Sequence, residues 1–380
     1  MRKYYLLAPG PTPVPPETLL AMAQPVIHHR TPEFEAVMEE VKNGLKELFM
    51  TKNDVIILAS SGTGAMEAAV SNFLSAGDKA IVVKGGKFGE RWTEICKAYG
   101  VSTIDIDVEW GKAVAPEIIA DILKREKGVK AVYTQASETS TCVAHPIREL
   151  GAIVREHEDT ILAVDAITGI GVFPIPTDEW GLDLVVSGSQ KALMLPPGLG
   201  FISVSDKAWR MGERSNLPRY YFDLAKERKN LKKNTTAYTP AVSLVIGLKE
   251  SLRRIKEEGM ANIFARTDRM ARATRAAMEA IGLKLLAPES PSNCGTAAKV
   301  PPEIDGEAVV RNLSTRFAIT VAEGQDRLKG KIFRIAHMGF IEPFDVIVAI
   351  SAVEAVLKEM GHPVELGKGV GAAQQILWEK

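Results

Sequence analysis

Cysteine is scarce in this sequence of 380 residues, and its scarcity excludes two kinds of protein. The three cysteines, Cys96, Cys142 and Cys294, are scattered and form no CxxC pair. The sequence therefore predicts neither a disulfide framework nor a cysteine-based zinc site, and we expect no metal. A reducing compartment is the simplest interpretation of so few thiols.

The sequence also lacks an excess of either charge and any long apolar segment. Lysine plus arginine and aspartate plus glutamate number 47 each, which gives a formal net charge of zero. Such a protein lacks the basic surface that binds nucleic acid or anionic membranes. No segment has the length of a membrane-spanning helix, and residues 1–10 lack the apolar stretch of a signal peptide. We therefore expect a cytoplasmic protein without nucleic-acid or membrane partners.

Short apolar segments alternate with amphipathic ones through the first half of the chain. Strands are expected at 54–60, 79–84, 102–107, 129–135, 160–165, 182–187 and 200–204. Helical patterns occupy 64–74, 89–99, 115–126 and 146–157. The strands are rich in Val and Ile and almost continuously apolar, which is typical of strands buried on both faces. This predicts an α/β fold with a mostly parallel seven-stranded sheet, helices on both sides, and ligands at the carboxyl ends of the strands.

The second half of the chain has a different pattern. After a charged stretch at 220–233, which suggests a linker, helices are expected at 240–258, 261–281, 306–317 and 344–360, and strands at 295–300 and 331–336. We expect a smaller α+β domain here. The expected division is an N-terminal arm at 1–20, a large domain at 21–260 and a small domain at 261–380.

One lysine stands apart from those on solvated helix faces. Lys191 follows the strand expected at 182–187 through a Ser/Gly turn, and Asp165 ends the strand before it. Burial at the end of a core strand lowers the pKa of an amine and makes it nucleophilic. Such a pair suits pyridoxal phosphate, because the lysine would form a Schiff base and the carboxylate would hold the ring nitrogen protonated. An ion pair at the sheet edge is the alternative.

Two further segments follow expected strands. Ser61, Gly62 and Thr63 open a helix, where free backbone N–H groups bind anions, although a plain helix cap is the alternative. The segment matches neither a dinucleotide fingerprint nor a P-loop. Phe88, after the strand at 79–84, offers a ring that could stack on a planar cofactor or simply plug the end of the strand.

With these motifs in order, the chain resembles class V aminotransferases of pyridoxal-phosphate fold type I. Within that class it is most similar to the alanine–glyoxylate / serine–pyruvate aminotransferase group. The segment 187–193 followed by Pro196, Pro197 and Gly198 is the most specific part of the resemblance. It extends over nearly the whole chain, including the segments 7–12, 29–34 and 333–336.

The resemblance implies a role for each matching position. Lys191 resembles the Schiff-base lysine and proton-transfer base, and Asp165 the partner of the pyridine nitrogen. Arg334 matches the arginine whose fork binds the substrate α-carboxylate. The remaining positions that match cofactor contacts are Ser61, Gly62, Thr63 and Gln190 at the phosphate, Phe88 stacked on the ring, and Thr139 near its hydroxyl.

The family completes the phosphate site with a loop from a neighbouring subunit. In this sequence that loop is expected at 234–240, with Tyr238 and Thr239 as the contacts and Thr236 as an alternative. A site built from two chains implies a homodimer.

The implied reaction is a ping-pong transamination from alanine or serine to glyoxylate or pyruvate. A cysteine desulfurase or lyase is one alternative. It is disfavoured because Gln190 stands where desulfurases carry His, and because Cys294 lies far before Arg334 along the chain. The other alternative is an accessory subunit that retains the pocket.

Overall fold

The computed structural model describes residues 3–379, which form fourteen strands and thirteen α-helices. The strands are β1 (Tyr5–Leu6), β2 (Val55–Ala59), β3 (Lys79–Lys84), β4 (Ser102–Asp107), β5 (Val129–Gln135), β6 (Ser137–Glu138), β7 (Val143–Ala144), β8 (Ile161–Asp165), β9 (Leu184–Gly188), β10 (Leu199–Val204), β11 (Gly295–Lys299), β12 (Ile319–Thr320), β13 (Ala322–Glu323) and β14 (Ile332–Ala336). The helices are α1 (Pro16–Met22), α2 (Pro32–Leu48), α3 (Gly62–Ser71), α4 (Lys87–Ala98), α5 (Pro116–Arg125), α6 (Ile147–Arg155), α7 (Asp206–Gly212), α8 (Leu224–Leu231), α9 (Val242–Glu258), α10 (Met260–Ala280), α11 (Gly306–Phe317), α12 (Pro343–Glu359) and α13 (Lys368–Leu377).

Seven strands form one large sheet in the order β2-β10-β9-β8-β5-β3-β4. Only β10 runs against its neighbours, so the carboxyl ends of the other six strands lie at the same edge. The interior strands β8, β9 and β10 are buried throughout, whereas the edge strand β4 is mostly half-buried or exposed. Helix α4 packs on the sheet through Trp92, which stacks on Tyr133 of β5 with ring centroids 4.5 Å apart.

The buried apolar side chains form two principal clusters. The larger lies within residues 34–263 and surrounds the seven-stranded sheet. The second combines Leu7 with side chains from residues 270–377 around the three-stranded sheet β11-β14-β13. The start of the chain is tied to this second core, because β1 pairs in parallel with β12.

The expected α/β fold with a mostly parallel seven-stranded sheet is confirmed, and β3, β4 and β5 have the expected bounds. The stretch expected to be a charged linker at 220–233 contains α8 instead. That helix forms because Leu224 and Leu231 are buried on one face, and because the side chain of Asp223 accepts a hydrogen bond from Lys226 N. The proposed domain boundaries remain a prediction. No helix within residues 3–379 combines the length and apolar character needed to span a bilayer.

The last helix, α13, is attached to α12 by a buried carboxylate. Glu354 is 2% exposed, and its side chain accepts hydrogen bonds from the backbone N–H groups of Gly367, Gly369 and Val370 at 2.7, 2.6 and 3.2 Å. These donors lie at the amino end of α13, where the helix dipole favours a negative charge. Glu354 therefore supplies the cap that α13 lacks in its own sequence.

We expect Glu354→Ala to lower the free energy of unfolding by about 2 kcal/mol, because three N–H groups, of which that of Gly369 is buried, lose their acceptor. Urea denaturation monitored by circular dichroism measures the loss. Glu365→Ala, at an exposed position before the same helix, is the matched control. Equal midpoints for the two variants would show that the cap contributes nothing to stability.

Candidate active site

Lys191 and Asp165 are brought to the same edge of the large sheet. Asp165 is the last residue of β8, and Lys191 lies three residues after the end of β9. The two strands are parallel neighbours, with Asp165 opposite Val186. The shared edge is the one at which six strands end, so the sheet topology itself places the pair together.

The Lys191 amine is held by the start of the chain. Its Nζ donates to the carbonyl of Pro9 at 2.6 Å, and the Thr12 hydroxyl donates to the Lys191 carbonyl at 2.8 Å. Gly10 has a φ of 110°, and a β-carbon there would lie 2.0 Å from Nζ. Only glycine permits this approach, so the segment 9–12 forms one wall around the amine.

Burial shifts both ionisable groups toward neutrality. Desolvation is the main cause that lowers the pKa of the Lys191 amine to about 8. The positive charges of Arg334 and Arg91 lower this pKa further, whereas Cys294 and Asp165 raise it. Desolvation likewise raises the pKa of Asp165 to about 7. Within residues 3–379 the carboxylate has a single hydrogen bond, from Ile167 N at 2.9 Å. Asp165 is thus a buried carboxyl with acceptor capacity left for a ligand.

Ser61, Gly62 and Thr63 lie where α3 begins, at the end of β2. Ser61 makes no capping bond with its side chain, so the first N–H groups of α3 stay available to an anion. Gly188, at the end of β9, packs against Gly62. The nearby Gln190 Oε1 is buried without a hydrogen-bond partner. The start of α3 and Gln190 therefore both retain hydrogen-bonding groups that no other group within residues 3–379 uses.

Phe88 lies in the first turn of α4, which a buried carboxylate holds in place. Glu138 is fully buried and accepts hydrogen bonds from Phe88 N and Gly89 N at 3.2 and 3.0 Å, as well as from Ser140 Oγ at 2.5 Å. Desolvation raises the pKa of Glu138, opposed by these bonds. Glu138 thus fixes the backbone that carries the Phe88 ring.

Arg334 places a buried guanidinium next to Thr139. It is 5% exposed, and its Nη1 and Nη2 donate to the carbonyls of Thr139 and Glu323, both at 2.7 Å. Its Nε is buried without a partner, and no carboxylate of residues 3–379 forms an ion pair with it. The Thr139 hydroxyl lies 2.6 Å from that of Thr168. A buried, unpaired guanidinium with free N–H groups is suited to binding a carboxylate.

No hydrogen bond or ion pair joins Tyr238 or Thr239 to Lys191 within residues 3–379. They line a small cleft beside β2 and β10, and the Tyr238 hydroxyl donates to the carbonyl of Tyr220 at 2.9 Å. Thr236 is in the same loop, and its hydroxyl donates to the carbonyl of Tyr238 at 2.6 Å. Their expected role in the site of a second subunit remains a prediction.

Separation along the chain proved a poor guide to the position of Cys294. Antiparallel pairing places Gly295 opposite Ala336, so Cys294 lies near the strand that carries Arg334. The thiol is fully buried and accepts a hydrogen bond from Ser137 Oγ at 3.2 Å. A hydrogen bond with Cys142 is the main cause that lowers the pKa of Cys294 to about 6. The separation of Cys294 from Arg334 along the chain therefore does not measure their separation in space, and the absence of desulfurase activity stays a prediction from the sequence.

Sequence reasoning did not find three groups that shape this site. The Pro9 carbonyl holds the lysine amine, Glu138 holds α4, and the guanidinium of Arg91 donates to the Thr63 hydroxyl at 3.2 Å. Of these three groups, only Glu138 could have been noticed in the sequence, because it directly precedes the expected cofactor contact Thr139. In the part of the chain that the structure describes, no group of three or more His, Cys, Asp or Glu side chains is arranged to hold a metal.

Comparison with known proteins agrees with this geometry. A family model described as aminotransferase class-V matches residues 4–338. The chain is 46% identical to a soluble hydrogenase small subunit of Synechococcus sp. (strain PCC 6716), covering 99% of this chain and 98% of the relative. It is 37% identical to serine–glyoxylate aminotransferase of Hyphomicrobium methylovorum (98% and 94% covered) and 36% identical to L-aspartate–glyoxylate aminotransferase of Paracoccus denitrificans (97% and 95%). The crystal structure of ureidoglycine–glyoxylate aminotransferase from Bacillus subtilis superposes with a TM-score of 0.95 at 30% identity, covering 100% of this chain and 99% of that one.

The buried carboxyl at the end of β8 predicts a pH-dependent stability for the ligand-free protein. Burial raises the pKa of Asp165 above its unfolded value, so the group stabilises the fold at low pH, and this contribution is lost as the pH rises through about 7. We expect Asp165→Asn to be more stable than the natural protein by about 1–3 kcal/mol at about pH 8.5, with a smaller gain at about pH 5.

Thermal or urea unfolding at the two pH values measures this difference. Asp121→Asn, which changes an exposed carboxylate on α5, is the control. A gain from Asp165→Asn that does not depend on pH would contradict the assignment of a raised pKa to this carboxyl.

Proposed function

The chain belongs to the aminotransferase class-V family, and from that premise we propose that it is a pyridoxal-phosphate-dependent aminotransferase acting on small amino acids. Alanine or serine is the proposed donor and glyoxylate or pyruvate the proposed acceptor, in the two half-reactions of a ping-pong cycle. The observation that carries the proposal is the juxtaposition of Lys191, with its pKa lowered to about 8, and the buried Asp165 at one sheet edge.

The donor groups around Lys191 fit this cofactor. The carboxyl of Asp165 has acceptor capacity for a ring nitrogen, and the start of α3 with Gln190 has unused groups for a phosphate. The residues that would hold the cofactor are Lys191, Asp165, Ser61, Gly62, Thr63, Phe88, Thr139 and Gln190. When bound, pyridoxal phosphate supplies an electron sink for the negative charge that develops on the substrate carbon.

The protein groups then have separable tasks. Arg334 binds the α-carboxylate of the amino acid, since its fork has N–H groups beyond the two that contact Thr139 and Glu323. This contact orients the amino acid in the pocket. The Lys191 amine takes up the proton that leaves the substrate α-carbon, because desolvation lowers its pKa to about 8 and so raises the fraction of neutral, basic amine near neutral pH. The buried Asp165 favours positive charge on a ring nitrogen beside it.

We further propose a homodimer in which residues 234–240 complete the phosphate site of the other subunit. The support is that hydrogen bonds hold this loop in one conformation, and none of them joins it to Lys191 within residues 3–379. Arg30 Nη1 donates to Thr235 Oγ1 and to the carbonyl of Thr236 at 2.6 and 2.8 Å, and Glu227 accepts from Ala237 N at 3.0 Å. A cytoplasmic location remains a prediction of the sequence.

A role as a subunit of a larger assembly is the second candidate. It is favoured by the 46% identity to a protein named as a hydrogenase small subunit. Retention of Lys191, Asp165 and Arg334 in a buried site favours the enzyme instead, because unpaired buried charges cost stability unless a ligand uses them.

We expect Lys191→Ala to abolish the yellow colour of the purified protein and to reduce transamination by about 10³-fold or more, because the covalent tether and the base are lost together. Mapping of borohydride-treated natural protein should give a pyridoxyl-labelled peptide that contains Lys191. Lys249→Ala, at a surface ion pair with Glu40, is the control. Label on another lysine would remove Lys191 from this role.

Addition of single amino acids without an acceptor tests the donor. We expect alanine and serine to bleach the visible absorbance of the loaded protein about 10-fold faster than aspartate at equal concentration, because a side-chain carboxylate would enter the pocket without a paired cation. A clear preference for aspartate, as the name of the Paracoccus relative suggests, would overturn the proposed donor class. Colour that persists with every amino acid would favour the role as an assembly subunit.

A further inference from the structure

Arg91 is a cation at the edge of the site with no established role. Its Nη1 donates to Thr63 Oγ1 at 3.2 Å, and its guanidinium carbon lies 4.9 Å from the centroid of the Phe88 ring. No carboxylate of residues 3–379 forms an ion pair with it, although its neighbour Glu90 pairs with Lys87 at 2.7 Å. Arg91 therefore contacts two residues of the proposed cofactor site and uses few of its N–H groups elsewhere.

The geometry of α4 explains the contact with Phe88. Residues three apart lie on the same face of a helix, so the Arg91 side chain reaches back over the Phe88 ring. Glu138 holds the backbone of this turn through Phe88 N and Gly89 N. The backbone of Phe88 is thus fixed by Glu138, and its ring is restrained by a planar cation that packs against it.

The contact with Thr63 has a directional consequence. A hydroxyl has one O–H donor and two acceptor lone pairs, and Arg91 engages an acceptor. The Thr63 O–H is thereby left free to donate to another group. Since Thr63 lies in the first turn of α3, that donor adds to the N–H groups available to an anion there.

The charge of Arg91 also acts on the two central ionisable groups. It lowers the pKa of Asp165 and the pKa of Lys191, in each case as a lesser effect beside desolvation. The other charged groups that act on Lys191 are Asp165, Cys294 and Arg334. A cation at this position therefore favours an ionised carboxyl and a neutral amine, which are the states that the proposed chemistry requires.

We propose that Arg91 is a positioning residue for pyridoxal phosphate, which holds the Phe88 ring for stacking on the cofactor and directs the Thr63 hydroxyl toward its phosphate. This inference rests on the proposed function. It assigns to Arg91 no contact with the substrate and no proton transfer.

The test compares Arg91→Met with Arg91→Lys and with a control outside the site. Methionine keeps an apolar stem of similar length without charge or donors, and lysine keeps the charge without the planar fork. Arg228→Met is the control, because the guanidinium of Arg228 packs on the Trp209 ring at 4.5 Å and pairs with Asp54 at 3.8 Å, and neither partner is a residue of the proposed cofactor site. Equilibrium dialysis of cofactor-free protein against pyridoxal phosphate gives the dissociation constant. Visible circular dichroism and a pH titration of the visible absorbance report the orientation and the electrostatics of the bound cofactor.

For Arg91→Met we expect a dissociation constant raised about 10-fold, a weaker visible circular dichroism signal, and a visible titration shifted to higher pH, because a nearby positive charge has been removed. In Arg91→Lys the pH shift should be largely reversed, while the affinity stays reduced. Arg228→Met should match the natural protein in all three measurements. Unchanged affinity and circular dichroism in both Arg91 variants would overturn the inference. Failure of the natural protein to bind pyridoxal phosphate would instead overturn the proposed function together with this inference.

Discussion

Desolvation of charged side chains is the constraint on which the edge of the large sheet depends. Lys191, Asp165 and Arg334 are all removed from water, and within residues 3–379 none of them forms an ion pair. Burial of unpaired charge is costly, so a fold retains such groups only where other dipoles compensate them or a ligand uses them. In this protein the compensation comes mainly from backbone. The carbonyl groups of Pro9, Thr139 and Glu323 accept the hydrogen bonds of the two cations.

Backbone acceptors leave the charges largely unneutralised, which separates this site from a structural ion-pair network. A carboxylate opposite Arg334 would satisfy its fork and occupy the position that an incoming substrate carboxylate needs. Carbonyl groups instead hold the guanidinium in place and leave N–H groups free. Similarly, the single hydrogen bond from Ile167 N orients Asp165 without using all of its acceptor capacity. The charged groups of the site are thus held in place by the backbone, while some of their hydrogen-bond donors and acceptors remain unused.

The sequence predicted the parts of this arrangement that are local. Continuous apolar segments identified all seven strands of the large sheet within one or two residues, and their ends drew attention to Asp165 and Lys191. The parts that depend on distant packing were not predicted. The Pro9 carbonyl, the cap from Glu138 and the position of Cys294 all arise from contacts between segments far apart in the chain, which no periodicity records. Tyr238 and Thr239 differ again, since their expected neighbours belong to a second chain. The helix α8 was missed because its two buried leucines are separated by a highly charged sequence.

The attachment of the first residues to the second core has a consequence for biosynthesis. Tyr5 and Leu6 pair with a strand at 319–320, and the carbonyl of Leu7 accepts a hydrogen bond from Ala336 N at 2.8 Å. The neighbouring carbonyl of Pro9 is the acceptor for the Lys191 amine. While the chain is still being translated, the partners of residues 5–7 do not yet exist outside the ribosome. The residues that lead into the wall around the reactive amine therefore gain these partners only after residue 336 has emerged.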